Sequence, residues 1–242
     1  MSAPERPGGS HSLMMSAAYH TVWGISAPTV AEAMIGRLTQ EKCDERLRGW
    51  AQLLVKLTRT DLTVQGTEHI PKAACVVMSN HRSYSDIPLI YASLPEGVRL
   101  RMVAKRELFF VPIWGRAMRA SGFIPIVRSD RKRAIESLNI AKQALEKGTY
   151  IWIAPEGTRS RTGELGALKK GGFILARDTG VPILPMSIAG SGDIMPPQGW
   201  RLYQDNKAVV SFWPLIQTAD RPIEDVMAEV AKAIDVNESP TR

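Results

Sequence analysis

From Leu62 onward, short apolar runs alternate with longer segments of helical periodicity, and this alternation most constrains the fold. The apolar runs, bounded by turn-forming residues, are Leu62–Gln65, Ala74–Met78, Leu100–Ala104, Phe123–Val127, Tyr150–Ala154, Ile183–Ile188 and Ala208–Trp213. The helical patterns between and after them are Asp86–Ala92, Phe110–Ser121, Arg131–Lys147, Lys169–Asp178 and Ile223–Ile234. Such alternation predicts an α/β fold whose mixed, largely parallel sheet is flanked by helices.

A chain of 242 residues can bury one sizeable core. We assign residues 61–242 to an α/β domain and residues 1–60 to an N-terminal helical segment. Between Pro7 and Ala31 there is no Asp, Glu, Lys or Arg, but polar residues interrupt the segment. It therefore lacks the roughly 20 predominantly apolar residues of a spanning helix. Two interpretations stay open: a segment that associates with or re-enters a membrane surface, and helices that pack on the domain.

A second N-terminal pattern, Glu41–Arg59, repeats large apolar residues at spacings of three and four: Leu47, Trp50, Leu54 and Leu57. An apolar stripe with a tryptophan and flanking Arg or Lys suits a helix that lies in a bilayer interface. A helix packed on its own domain has the same pattern. Both interpretations stay open, and the second is favoured because such packing is more common.

The net charge of +7 is concentrated in the middle of the chain. From Arg99 to Arg177 there are 17 Lys or Arg residues and 6 Asp or Glu, a local balance of +11. A basic region favours an anionic partner, such as a phosphate, a lipid headgroup or nucleic acid. No nucleic-acid-binding motif accompanies the charge, which argues against nucleic acid. Cys43 and Cys75 match neither a disulfide framework nor a zinc pattern and suit a reduced, cytoplasmic setting.

The sequence NHRSYSD follows the second apolar run and places His81 five positions before Asp86. A histidine can remove a hydroxyl proton near neutral pH, and a carboxylate on its other ring nitrogen fixes the tautomer. Residues five apart in a regular helix point about 140° away from each other. The two can therefore meet only if the chain turns first and a helix begins near Ser85, as Pro88 in a first turn suggests. The alternative is that Ser83, Ser85 or Asp86 merely caps the helix.

The sequence PEGTRS comes directly after the apolar run Tyr150–Ala154. Gly157 would let the backbone approach a ligand closely, and the fork of Arg159 suits a phosphate. Glu156 could hold that fork in place or accept a hydrogen bond from a substrate hydroxyl. Taken alone, the motif is better explained as a strand-ending turn with a solvated arginine.

Cationic residues follow other apolar runs: Lys105 leaves one, and Arg128 ends another. Each alone is most simply a solvated side chain. Together with His81 and Arg159, however, they mark the ends of four strands of one predicted sheet. Ligands of open α/β sheets gather outside the carboxyl ends of the strands. The combination therefore predicts one functional site at that edge.

The ordered set NHRSYSD, KRELFFVPIWG, GFIPIVR, PEGTRS and VPILP resembles the motifs of the glycerolipid acyltransferase family, including the bacterial 1-acyl-glycerol-3-phosphate acyltransferases. The resemblance covers roughly residues 62 to 215. It implies transfer of a fatty acyl group from an acyl thioester of coenzyme A or acyl carrier protein. The acceptor is the free hydroxyl of 1-acyl-glycerol-3-phosphate, and the product is phosphatidic acid. It implies no metal and no cofactor besides this thioester co-substrate.

The resemblance also implies roles for single residues. His81 is the general base and Asp86 orients it. The acceptor's phosphate and glycerol are assigned to Arg128, Glu156, Gly157, Thr158 and Arg159. Lys105 matches a family lysine near the same site. The family commonly has Phe where this chain has Ala154 and Leu168, which leaves the acceptor and acyl preferences open.

Several alternatives stay open. The acceptor could instead be glycerol-3-phosphate, a lyso-aminolipid or another lysophospholipid. The chain could be a non-catalytic peripheral protein that binds anionic lipid, or a hydrolase in which His81 activates water. Ser83 and Ser85 are near enough to keep an acyl-enzyme open. Trp23, Trp50 and the basic middle lead us to expect a membrane-surface partner and a peripheral or monotopic location on the cytoplasmic face of the cell membrane.

Overall fold

The computed structural model describes residues 8–127, 130–160, 162–197 and 199–235. Within them a seven-stranded sheet is covered by helices. The strands are β1 Asp61–Gln65, β2 Val76–Ser79, β3 Leu100–Lys105, β4 Ile124–Ile126, β5 Tyr150–Ile153, β6 Ile183–Ala189 and β7 Lys207–Phe212. They agree with the predicted apolar runs to within about two residues, since each is bounded by turn-forming residues.

The strand order across the sheet is β1-β7-β6-β2-β5-β3-β4. The β6 and β7 strands are antiparallel, and the other neighbouring pairs are parallel. This confirms the predicted mixed, largely parallel sheet. The four strands β2, β5, β3 and β4 are adjacent and parallel, so their carboxyl ends lie along one edge.

The helices that the structure describes are α1 His11–Tyr19, α2 Ala27–Met34, α3 Gln40–Leu57, α4 Asp86–Ser93, α5 Trp114–Ala120, α6 Arg131–Glu146, α7 Gly171–Thr179, α8 Ser191–Ile194 and α9 Ile223–Ile234. A π-helical segment, His20–Ser26, joins α1 to α2. Turns of 3₁₀ helix occupy Thr67–His69 and Arg106–Phe110.

Local chemistry accounts for several helix ends. The side chain of Asp130 accepts a hydrogen bond from the N–H of Arg133 and so caps the start of α6. Gly148 follows that helix with φ +82°, and Gly180 follows α7 with φ +68°. Both angles lie in the left-handed region, where glycine avoids the steric cost of a Cβ atom.

The helix predicted over Phe110–Ser121 begins only at Trp114. Lys105 therefore enters a 3₁₀ turn instead of a helix, and that turn ends at Phe110. Ile113 adopts φ +62° immediately before α5, which interrupts any continuous helix across this region. The short helix α8 was not predicted, because four residues are too few for periodicity to identify.

The helix α3 packs on the sheet, as the favoured interpretation held. Leu47 and Ala51 belong to the same hydrophobic cluster as Val77 and Leu184 of the central strands. A partly buried ion pair adds to this attachment, since Arg101 of β3 donates to the carboxylate of Asp44 in α3 at 2.6 Å. The division between residues 1–60 and 61–242 stays a prediction.

Trp50 is not exposed in the way that a bilayer-contacting residue would be. It is only partly exposed and packs against the central cluster, and its Nε1–H donates to the hydroxyl of Thr21 at 2.8 Å. Trp23 is different, with 57% of its surface exposed. No helix among the described residues is both long and apolar enough to cross a membrane.

Candidate active site

The sheet edge predicted to hold the site does bring polar residues together. His81 follows β2, Glu156 follows β5, and Lys105 is the last residue of β3. These three strands are neighbours and run parallel. Arg128 follows β4 in the sequence but lies outside the described residues.

His81 and Asp86 are in contact. The Nδ1 atom of His81 lies 2.7 Å from Oδ2 of Asp86. Asp86 is the first residue of α4, so the chain turns between the two residues, as their spacing required. The Asp86 side chain is 1% exposed and the His81 side chain 15% exposed. The carboxylate is thus sealed inside, while the ring reaches the surface.

Backbone groups determine how this pair is oriented. Oδ2 of Asp86 also accepts hydrogen bonds from the N–H groups of Arg82 and Ser83, at 2.8 and 2.9 Å. An ionised carboxylate has acceptor sites only, so the imidazole Nδ1 that faces Oδ2 is assigned as the N–H donor. The proton of the neutral ring therefore lies on Nδ1, and Nε2 is the nitrogen able to take up a proton.

The other sides of His81 are held by neighbouring strands. The ring of Trp152 in β5 meets the imidazole edge-on, with centroids 5.5 Å apart and planes at 87°. The Trp152 Nε1–H donates to the hydroxyl of Ser79 at 3.0 Å. The side chain of Asn80 both donates to and accepts from the backbone of Ile188, each at 2.8 Å. These contacts fix the end of β2 that carries the histidine.

Glu156 connects two loops at this edge. Its Oε1 accepts from the N–H of His81 at 3.3 Å, and its Oε2 accepts from the N–H of Gly166 at 2.8 Å. Its side chain is buried. The N–H of Ser160 also donates to the carbonyl of His81 at 2.8 Å. Glu156 therefore braces the loop of the histidine against the loop after β5, and its assignment to the acceptor stays a prediction.

A cleft of about 370 Å³ opens beside Glu156. The hydroxyl-bearing residues Thr158, Ser160 and Thr162 line it, together with Lys169. Gly157 adopts φ +76°, which lets the backbone turn along this cleft. His81 is not among the residues that line the cleft, so the cleft adjoins the histidine loop instead of enclosing it.

Arg159 lies against the histidine loop, as the predicted convergence required. The central carbon of its guanidinium is 3.8 Å from the ring centroid of Tyr84, which stands between His81 and Asp86 in the chain. Its Nη1–H donates to the carbonyl of Pro197 at 3.2 Å. Lys105 lies at the same sheet edge, but its side chain is 59% exposed and forms a 3.7 Å ion pair with Glu107.

The Ser83 hydroxyl beside the histidine has structural partners, and Cys43 and Cys75 are buried away from the site. The buried hydroxyl of Ser83 donates to the carbonyl of Met195 at 2.7 Å and accepts from the N–H of Ser85 at 3.0 Å. Burial raises the pKa of the Cys75 thiol to about 12 and also raises the pKa of Cys43. A thiol in such surroundings is mostly protonated and weakly nucleophilic.

The structure adds two residues that the sequence did not assign to the site. In the sequence, Tyr84 stands only within the NHRSYSD motif, and Lys169 only at the start of a predicted helix. The lysine could have been suspected from its distance of ten residues from Arg159 within one basic stretch. The stacking of Tyr84 on Arg159 had no sequence signal, since it joins two distant loops.

A family model described as "Acyltransferase" matches residues 61–189 of the chain. This chain belongs to the acyltransferase family. The matched range holds every residue predicted for the site, from His81 to Arg159. The resemblance read from the motifs is thereby confirmed.

Named relatives of this chain agree. A 1-acyl-sn-glycerol-3-phosphate acyltransferase of Pseudomonas aeruginosa is 32% identical over 76% of this chain and 77% of its own length. Chloroplast 1-acyl-sn-glycerol-3-phosphate acyltransferases from Brassica napus and Arabidopsis thaliana are 37% and 33% identical. The chain spans 42% and 49% of the lengths of these two plant relatives, about half or less.

A solved structure shows the same fold. It is the crystal structure of the 1-acyl-sn-glycerophosphate acyltransferase from Thermotoga maritima, with a TM-score of 0.75 and 24% sequence identity. The match covers 93% of this chain and 91% of that one. That protein therefore shares the fold of this chain over most of its length.

Proposed function

We propose that this protein transfers a fatty acyl group from an acyl thioester to the free hydroxyl of 1-acyl-glycerol-3-phosphate, which gives phosphatidic acid. The observation that carries the proposal is the 2.7 Å contact between His81 and Asp86, beside a loop that presents Arg159. The relatives are named as 1-acyl-sn-glycerol-3-phosphate acyltransferases, which supports the choice of acceptor.

The proposed reaction begins with proton removal. Nε2 of His81 takes the proton of the acceptor hydroxyl while the oxygen attacks the thioester carbonyl. The buried carboxylate of Asp86 stabilises the imidazolium that forms. The tetrahedral intermediate then expels the thiolate, which takes up the proton from the imidazolium and leaves as a thiol. Backbone N–H groups, with or without Lys105, stabilise the oxyanion.

The acceptor's phosphate is expected among Arg159, Arg128 and Lys105. Guanidinium groups suit a phosphate because their N–H donors match its oxygens in pairs. Glu156 and Thr158 line the cleft beside this loop, and we assign the acceptor's glycerol to them and to Gly157. The donor is a thioester of coenzyme A or acyl carrier protein. Exchange of a thioester for an oxygen ester is downhill, so the proposed reaction needs no metal or other cofactor.

The first experiment measures acyl transfer to lysophosphatidate with either donor, and identifies the product by mass spectrometry. His81→Ala should lower the rate by a factor on the order of 10²–10⁴, because the general base is lost. His69→Ala is the matched control, since this histidine lies outside the site and is partly exposed. An undiminished rate for His81→Ala contradicts the mechanism.

The second experiment tests the acceptor. Arg159→Ala should lower kcat/KM for lysophosphatidate more than for a neutral monoacylglycerol, because only the first carries a phosphate. A panel with glycerol-3-phosphate and other lysophospholipids separates acceptors of the same chemistry. Equal losses with both acceptors would remove the phosphate role. Free fatty acid without added acceptor would instead indicate a hydrolase, and lipid binding without any transfer would indicate a non-catalytic protein.

Attachment to the cytoplasmic face of the membrane is also part of the proposal. Trp23 is exposed in the π-helical segment. Phe110 is 64% exposed, and the guanidinium groups of Arg106 and Arg119 lie 5.5 and 5.6 Å from its ring. Exposed aromatic rings flanked by arginine suit the interface of an anionic bilayer.

Flotation with liposomes tests this attachment. The intact protein should float with anionic vesicles and less with zwitterionic ones. The double substitution Trp23→Ala with Phe110→Ala should reduce flotation, whereas Ile140→Ala, at an exposed apolar position on α6, should not. Failure of the wild type to float while acyl transfer still proceeds would contradict the membrane attachment and leave the chemistry intact.

A further inference from the structure

Tyr84 has an unusual position within its loop. Its neighbours Ser83, Ser85 and Asp86 are buried, yet 45% of Tyr84 is exposed. The exposed ring carries the guanidinium of Arg159 on its face at 3.8 Å. The other arginine–ring pairs among the described residues have separations of 5.5 to 5.7 Å. This pair is therefore the closest stack in that set.

The stack leaves the binding edges of the arginine available. A guanidinium carries five N–H donors in its own plane, and a ring below that plane covers none of them. The carbonyl of Pro197 takes one donor on Nη1 at 3.2 Å. Contact of the guanidinium carbon with the ring face and of one N–H with a carbonyl restrains the arginine, and the remaining donors can meet a ligand.

The same loop also holds the segment whose carbonyl accepts from Arg159. The hydroxyl of Ser83 donates to the carbonyl of Met195, two residues before Pro197. The segment that carries His81 and Asp86 thus supports Arg159 in two ways, directly through Tyr84 and indirectly through residues 195–197. The orientation of the arginine is therefore mechanically connected to the loop of the proposed base.

We propose that Tyr84 is a positioning residue for acceptor binding. Its ring holds the guanidinium of Arg159 in the plane in which it binds the acceptor's phosphate, at a fixed distance from His81. This inference rests on the proposed function. It assigns to the third residue after the histidine a role that concerns the acceptor's phosphate and not the proton transfer.

The test compares Tyr84→Leu with Tyr84→Phe. Loss of the ring should raise KM for lysophosphatidate about three- to tenfold, the range expected for a cation–π contact at a half-exposed site. The kcat value should change little. Tyr84→Phe keeps the ring face and should retain wild-type KM. With a neutral monoacylglycerol acceptor, Tyr84→Leu should have no such effect. Thermal unfolding identifies any variant that fails to fold, and Tyr84→Gln then replaces Tyr84→Leu.

A double-substitution cycle separates positioning from a general structural role. In an Arg159→Ala background, Tyr84→Leu should produce no further rise in KM, because the group that it orients is absent. The inference is overturned by any of three results. These are an equal effect with both acceptors, a defect in Tyr84→Phe as large as in Tyr84→Leu, or an undiminished effect in the Arg159→Ala background.

Binding without the acyl donor distinguishes this inference from the proposed function. Titration calorimetry with lysophosphatidate should show weaker binding to Tyr84→Leu than to Tyr84→Phe and the wild type. If the wild type transfers no acyl group but this order holds, the proposed function fails and the positioning role stands. If transfer occurs but all three proteins bind lysophosphatidate equally, the positioning role fails alone.

Discussion

The loop that carries His81 is held by buried backbone hydrogen bonds, whereas the cations around it are held by side-chain contacts near the surface. Oδ2 of Asp86 accepts from two backbone N–H groups as well as from the imidazole. Arg159 instead packs on the face of the Tyr84 ring, and Lys105 forms an exposed ion pair with Glu107. The two parts of the site thus differ in rigidity.

The difference matches what each part is proposed to do. Proton transfer requires donor and acceptor atoms within about 2.6 to 3.2 Å, so its groups must be held closely. Attraction of a phosphate acts over a longer range, about 8 Å at physiological salt, so an exposed cation such as Lys105 need not be held as closely. Substitutions in the buried part should therefore lower kcat, and substitutions among the cations should mainly raise KM.

The largest effect is expected from Asp86→Asn. The amide oxygen can still accept the two backbone N–H bonds, but it carries no charge to stabilise an imidazolium. The kcat value should fall by a factor on the order of 10²–10⁴, with nearly unchanged KM and a folded protein by circular dichroism. A rise in KM with normal kcat would show that the carboxylate contributes to substrate binding. The buried part and the cations would then not differ in their effects on kcat and KM.

A second test concerns the brace formed by Glu156. In Glu156→Gln one oxygen becomes an NH₂ group that faces a backbone N–H of His81 or Gly166, so two donors oppose each other. The free energy of unfolding in urea should fall by about 1–3 kcal/mol. Glu136→Gln, an exposed acid on α6, should change it by no more than about 0.5 kcal/mol. Equal stability of both variants would mean that the loops do not depend on this carboxylate.

Much of the sheet could be predicted from the sequence, because strands such as β5 are short apolar runs with clear turn residues after them. The convergence of His81 and Arg159 also followed from parallel strand ends. Both inferences rest on periodicity and topology, which a single sequence expresses directly. The 2.7 Å contact with Asp86 depended only on a turn before α4, and the spacing of five residues required that turn.

Other features depend on contacts between distant residues and could not be predicted. Tyr84 packs on Arg159, and Glu156 accepts a hydrogen bond from the N–H of His81. Both contacts join loops that are far apart in the sequence. Ile113 has a positive φ, and α5 begins only after it. An isoleucine in the sequence gives no indication of such a backbone angle. The helical pattern around Trp50 suits either a bilayer interface or a protein core. Its hydrogen bond to Thr21 shows that it packs within the protein.

The smallest effect is expected from Lys105→Ala. The pair with Glu107 is exposed on both sides, so the free energy of unfolding should change by less than about 1 kcal/mol. If Lys105 only attracts the phosphate, KM for lysophosphatidate should rise by less than about tenfold, and 1 M salt should abolish the difference from the wild type. A loss of kcat on the order of 10² that persists in salt would instead place the ammonium on the oxyanion. Lys105 would then act in catalysis, and the rigid part of the site would extend from the His81 loop to the end of β3.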